Sequence, residues 1–186
     1  MRRVEIVLWL LGVQGLLGAF DTLYFHEWRA RLPSLQRAAR SELSLHAARD
    51  FVYVPLFLAL PNIAWQGWWA VALACLLLFE LILTLWDFVI EDVVRRPLGG
   101  VYAGERITHA LMGILYGGML ANLFPVMLRW FLAPTALVLY APAVPAGLSW
   151  ALTLLGIGVF ASGVRDLAAA YALPYSHWPW RIVPRD

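Results

Sequence analysis

The chain has 186 residues and a formal net charge of +2; 62% of its residues are hydrophobic and only 14% are charged, with a mean hydropathy of +0.71. A soluble domain carries about 25% charged residues, so the composition excludes an ordinary soluble fold, and the small charge excludes a nucleic-acid surface. What remains is a multi-pass, all-α protein whose main partner is the lipid bilayer.

The first apolar span runs from about Val4 to Trp28. Met1-Arg2-Arg3 gives it the look of a signal peptide, but it has no small-residue cleavage site and carries Asp21, so it reads as a mature helix. The second span covers about Ala38 to Leu60, and Pro61-Asn62 with Trp65, Trp68 and Trp69 marks an interface before the third, about Ala70 to Val94. Cys75 lies in that third run; a single thiol excludes a disulfide framework and reads as a small buried hydrophobe. Pro97-Leu98-Gly99-Gly100 is a turn, and the fourth span runs from Val101 to Phe131 with a bend expected at Pro125. A connector with Pro134, Pro142 and Pro145 precedes the fifth span, Ala146 to Tyr171, and a Trp-rich interfacial tail.

All the basic residues are Arg, a usage that suggests a GC-rich bacterial genome. They concentrate between spans one and two (Arg29, Arg31, Arg37, Arg40) and between three and four (Arg95, Arg96). The positive-inside rule therefore places those loops and the C-terminus in the cytoplasm, in a bacterial inner membrane.

One phrase occurs twice. Glu42-x3-His46-x6-Tyr53 returns 63 residues later as Glu105-x3-His109-x6-Tyr116. Glu and His four apart share one helix face. Each copy follows a helix ending in aromatic–Asp (Phe20-Asp21, Trp86-Asp87), then Arg and Pro. This predicts two repeated hairpins, about 4–60 and 70–131, packed as a four-helix transmembrane bundle over residues 1–131. Residues 132–186 would add a connector, a fifth helix outside the repeat and the tail.

Depth counted from the basic turns puts Asp21, His46, Asp87 and His109 in one plane, with Glu42, Glu91 and Glu105 one turn nearer the turns. Gln14, Tyr53, Glu80 and Tyr116 lie about 10 Å further in, and Arg49 and Thr84 fall between the layers. An uncompensated charge at that depth costs about 2.5–3.5 kcal/mol. Bound cations would turn the mutual repulsion of the acids into ligation. The predicted ligands are Asp21, Glu42, His46, Asp87, Glu91, Glu105 and His109. His26 is a further candidate although it stands about 140° around an α-helix from Asp21. Arg49, Tyr53, Glu80 and Tyr116 are expected as supporting residues, the tyrosines as relays or core hydrogen-bonders. Asp166 is expected to pair with Arg165, and Glu27 to be solvated.

The Glu/His pairs and paired Asp residues resemble the ligand pattern of the di-iron carboxylate proteins of the ferritin-like class. The likeness covers about residues 14–116 and departs in spacing, Glu-x3-His here against Glu-x2-His there. It implies two transition-metal ions, iron before zinc or manganese, and an oxidoreductase acting on O2 or a lipid-soluble substrate near the cytoplasmic face. Two other readings stay open: a b-type haem electron carrier with His46 and His109 as axial ligands, and a proton or metal-ion transporter using Glu80. Glycines at 113, 117, 118, 156, 158 and 163 would permit close helix contacts and a homodimer.

Overall fold

The computed structural model describes residues 2–141 and 143–180, so Pro142 of the connector falls outside it. The fold is mostly helical. The first span is α1 (Arg2–Phe20) running directly into a π-helix (Asp21–Arg29). Arg31, in the left-handed region at φ 51°, turns the chain into the short α2 (Leu32–Leu35) and a 3-10 turn (Gln36–Ala39). Then come α3 (Arg40–Leu58), β1 (Ile63–Gln66) and α4 (Trp68–Arg95). A second 3-10 turn leads to α5 (Ala103–Phe131), which runs through Pro125 unbroken; β2 (Ala136–Leu139) and α6 (Ala146–Ala170) follow.

The pattern of α4 shows how this sequence folds. Its buried residues are Ala70, Leu73, Leu77, Glu80, Leu83, Asp87, Glu91 and Arg95, a single stripe spaced three and four apart. The stripe is apolar at one end and polar at the other. The outward faces carry Leu78, Phe79, Leu85 and Trp86, all at least half exposed. Large apolar side chains facing out and acids facing in are what a bilayer stabilises and water does not. Cys75, expected to be buried, is on this outer face.

Among the described residues, four helices are long and apolar enough to cross a membrane: α1 with its π-helix, α4 with the following turn, α5 and α6. The expected second span, α3, is not among them. Its first half carries Arg40, Glu42, His46, Arg49 and Asp50. It is the enclosed helix instead: between Arg40 and Leu58 only Arg40, Ser41 and Leu58 are exposed. Its neighbours shield the polar residues that would be costly in lipid.

The helices form a ring rather than four plus an outlier. Helix α3 packs on α4 and, most extensively, on α6; α6 also packs on α1, α1 on α5, and α5 on α4. The fifth helix is thus part of the bundle wall. Its glycines explain the fit: a Cβ at Gly156 would come within 2.5 Å of Leu58, and one at Gly163 within 3.0 Å of the Asp50 Cβ. Gly113, Gly117 and Gly158 have no such neighbour. At the end away from the arginine turns, β1 and β2 pair antiparallel, Ile63 with Leu139 and Gln66 with Ala136. There Gly67, at φ +59°, lies against the Thr135 backbone where no side chain fits. Below this cap an apolar core (Leu8, Leu11, Leu56, Leu73, Leu123, Leu152) fills the ring. The polar layer occupies the arginine-turn end.

Candidate metal centre

The polar layer divides into two neighbourhoods. In one, Asp21, His26, Glu105 and His109 each direct one ligand atom into a common space, all within 4.8 Å of one another. Asp21 Oδ2 is 3.1 Å from His109 Nε2 and 3.3 Å from His26 Nε2, and Glu105 Oε1 is 3.1 Å from His26 Nε2. Glu91 Oε2 stands 3.6 Å from His109 Nδ1 on the outer side of that ring.

His26 joins this set because of the π-helix. On an α-helix five residues turn the side chain well away from Asp21, whereas i→i+5 hydrogen bonds bring residues five apart onto successive turns of one face. The distortion is local and ends at Arg31, so its structural effect is to aim Asp21 and His26 together. Glu105 is fixed at the start of α5, where its Oε2 accepts from Tyr102 N–H at 3.4 Å in a capping box.

The second neighbourhood is held by arginines. Arg95, the last residue of α4, is fully buried. Its Nε donates to Glu42 Oε1 at 2.8 Å, its Nη2 to Glu105 Oε1 at 3.2 Å, and Glu91 Oε1 is 3.9 Å away. Arg49 Nη1 donates to Asp87 Oδ2 at 2.6 Å. His46 is 3.4 Å from that same oxygen, 3.9 Å from Asp166 Oδ2, and its ring stacks on His26 at 4.5 Å. Asp166 therefore faces inward to His46. Arg165 pairs with Glu27 instead, and Glu27 also accepts from Trp180 Nε1 at 3.0 Å, tying the tail down.

Of the seven expected ligands, Asp21, Glu105 and His109 converge, and Glu91 borders them. Glu42 is bound by Arg95, while His46 and Asp87 lie with Arg49. The expected symmetrical set is broken by two guanidinium groups. Spacing alone gave His26 no clear place beside Asp21, and only the π-helix supplies one. Arg95 reads as a loop charge, although its i+4 relation to Glu91 places it on the buried stripe.

The four-residue set could hold a metal ion. Buried Asp21 Oδ1 and His26 Nε2 have no hydrogen-bond partner. At metal–ligand distances of about 2.0–2.2 Å, the ligands of one ion lie up to about 4.4 Å apart, so shifts of tenths of an ångström would close this set. Mixed carboxylate and imidazole donors suit Fe, Mn or Zn. Five carboxyl groups, Asp21, Glu42, Asp87, Glu91 and Glu105, share two guanidiniums, Arg49 and Arg95, and two of them, Asp21 and Glu91, also face His109.

Deeper in, Tyr53 O–H donates to Glu80 Oε1 at 3.1 Å, Thr84 Oγ1 donates to the same oxygen at 2.7 Å, and Gln14 Nε2 reaches Tyr53 at 3.4 Å. Tyr116 O–H donates to the Leu77 carbonyl at 2.9 Å. Glu80 is thus held by Tyr53 and Thr84. Beside this layer, a cavity of about 490 Å³ lies between α1, α3 and α6.

No family model, curated protein or solved structure matches the chain.

Proposed function

We propose that this chain is an integral membrane metalloprotein that holds a transition-metal ion, iron before zinc or manganese, between Asp21, His26, Glu105 and His109, and carries out redox or oxygen-linked chemistry on a lipid-soluble substrate. The observation that carries the reading is the convergence of four donors, three buried and His109 partly buried, with Arg95 touching the set only at Glu105. Asp21 and Glu105 would supply negative charge and His26 and His109 nitrogen donors, with Glu91 standing behind His109 at its other ring nitrogen. The bound ion would provide a redox-active or Lewis-acidic centre; the surrounding apolar bundle excludes bulk water from it.

A second ion, as the di-iron resemblance suggests, would have to use Glu42, Glu91 and Glu105. Arg95 already bridges those acids, so one ion per chain is the proposed stoichiometry. The arrangement disfavours the haem reading, because the His26 ring, 4.5 Å from His46 and 6.5 Å from His109, takes up the room a macrocycle needs. The transporter reading lacks support beyond Glu80, where the buried stripe of α4 becomes Leu77, Leu73 and Ala70.

Elemental analysis of the protein purified from metal-supplemented cells should give close to one transition-metal ion per chain. His26→Ala/His109→Ala should lose it and His46→Ala should keep it. Metal-free protein that takes up none on titration, or unchanged content in the double variant, overturns the proposal.

A further inference from the structure

The cavity between α1, α3 and α6 is not needed to hold a metal ion, and its walls are graded. On α6 it is lined from Ala151 to Asp166, and on α1 and the π-helix that continues it from Gln14 to His26. At 1.5 Å per residue these stretches are about 22 and 18 Å long, so the cavity is elongated along the bundle axis. Its far part is apolar, with Phe57, Ala151, Leu154, Leu155 and Val159. Toward the arginine turns the lining becomes Asp21, His26, His46, Arg49, Asp50 and Asp166, and so reaches two of the four metal-site residues.

The cavity opens sideways rather than to either end. Leu16 and Leu23 on α1 and Leu154 on α6 line it and are each 63–67% exposed on the outer, apolar surface. In a bilayer that mouth faces acyl chains. At Gly158 an added Cβ would meet nothing within 4 Å.

Four polar side chains lining it, Gln14, Asp21, His26 and Arg49, carry a buried atom without a hydrogen-bond partner. Gln14 and Asp21 are each only 5% exposed, and Gln14 Oε1 and Asp21 Oδ1 have no hydrogen-bond partner. Buried groups of this kind cost about 1–3 kcal/mol when left unmade. Gln14 Oε1 and Asp21 Oδ1 accept and Arg49 Nε donates, a mixture that a hydroxyl, at once donor and acceptor, can meet; the Arg49 charge is already paired with Asp87. An anionic head would instead meet Asp21, Asp50 and Asp166 at close range.

From these features we propose that the cavity binds a single-chain lipophile, acyl or prenyl, with a neutral hydroxyl head. The chain lies along the α1–α6 wall and enters from the bilayer, and the hydroxyl donates to Asp21 Oδ1 or Gln14 Oε1. Calling this molecule the substrate rests on the metal reading above; its binding does not.

The test uses the full chain in detergent, with hexadecanol and hexadecanoic acid as probes and native mass spectrometry as the readout. One hexadecanol should bind per chain, with hexadecanoate weaker by at least about tenfold. Gly158→Phe and Ala151→Phe, which fill the cavity from a wall remote from the metal residues, should each lose the alcohol while keeping the wild-type metal content. That retained content shows they are folded. His109→Ala should lose metal and keep alcohol binding. Equal binding of acid and alcohol, or alcohol binding that survives both Phe substitutions, overturns the proposal. Metal-free protein that still binds one hexadecanol upholds the cavity and removes the metal reading alone.

Discussion

The two copies of Glu-x3-His share sequence, depth and helix face, yet they have different partners. In the second copy, Glu105 and His109 converge with Asp21 and His26, and Arg95 touches that set at Glu105. In the first, Glu42 is bound by Arg95, and the Asp87 beside His46 is bound by Arg49. One difference between the copies is the residue three positions after each histidine: Arg49, which pairs with Asp87, in one and Met112 in the other. A repeat doubles the ligand-type residues, but what each copy can do depends on which cations its neighbours supply: Arg49 and Arg95 in the first, Arg95 at Glu105 alone in the second.

Arg95 is the largest test of that contrast. Arg95→Met removes the cation from among three buried acids, and breaking such a cluster costs about 3–5 kcal/mol. Denaturant unfolding in detergent should show that loss. If Arg95 occupies the place of a second metal ion, divalent metal should restore part of the stability and raise the content toward two ions per chain. Stability within about 1 kcal/mol of wild type would show that Glu42, Glu91 and Glu105 do not depend on Arg95 for compensation.

Met112→Arg tests the other half. Arg49 reaches Asp87 from the position three after His46, so a guanidinium introduced three after His109 should reach Asp21 in the same manner. It would then supply within the chain the charge that the proposed metal ion would bring. Metal affinity should fall by about a hundredfold or more, equivalent to about 2.7 kcal/mol, with helicity unchanged by circular dichroism. Wild-type metal content in this variant would show that the guanidinium three after the histidine is not what separates the two copies.

The sequence made parts of this arrangement legible and hid others for identifiable reasons. Asp21, Glu105 and His109 were readable because α-helical spacing and depth counting hold for α5 and for α1 up to Phe20. His26 was not, since a π-helix changes the angular step and no local preference announces it. Arg95 was obscured by its place beside a basic turn, where the positive-inside rule explains a charge without burying it. The role of α6 was missed because a helix outside the repeat has no partner sequence to align with. Only its glycines at 156 and 163 hinted that it packs closely. The β1–β2 pairing joins two short segments more than 60 residues apart, and neither carries an alternating pattern long enough to read as a strand.

The smallest effect separates the copies one layer deeper. Tyr53 and Tyr116 occupy the same place in the repeat, yet Tyr53 connects Gln14 to the buried Glu80, whereas Tyr116 donates only to the Leu77 carbonyl. That carbonyl lies inside α4 and already accepts from the helix ladder. Tyr53→Phe leaves Gln14 without its partner and Glu80 with Thr84 alone, which should cost about 1–2 kcal/mol; Tyr116→Phe should cost about 0.5 kcal/mol. A double-mutant cycle with Glu80→Gln should then give coupling for Tyr53 and little for Tyr116. Equal coupling would mean that both tyrosines act on Glu80, and that the division between the copies stops at the metal layer.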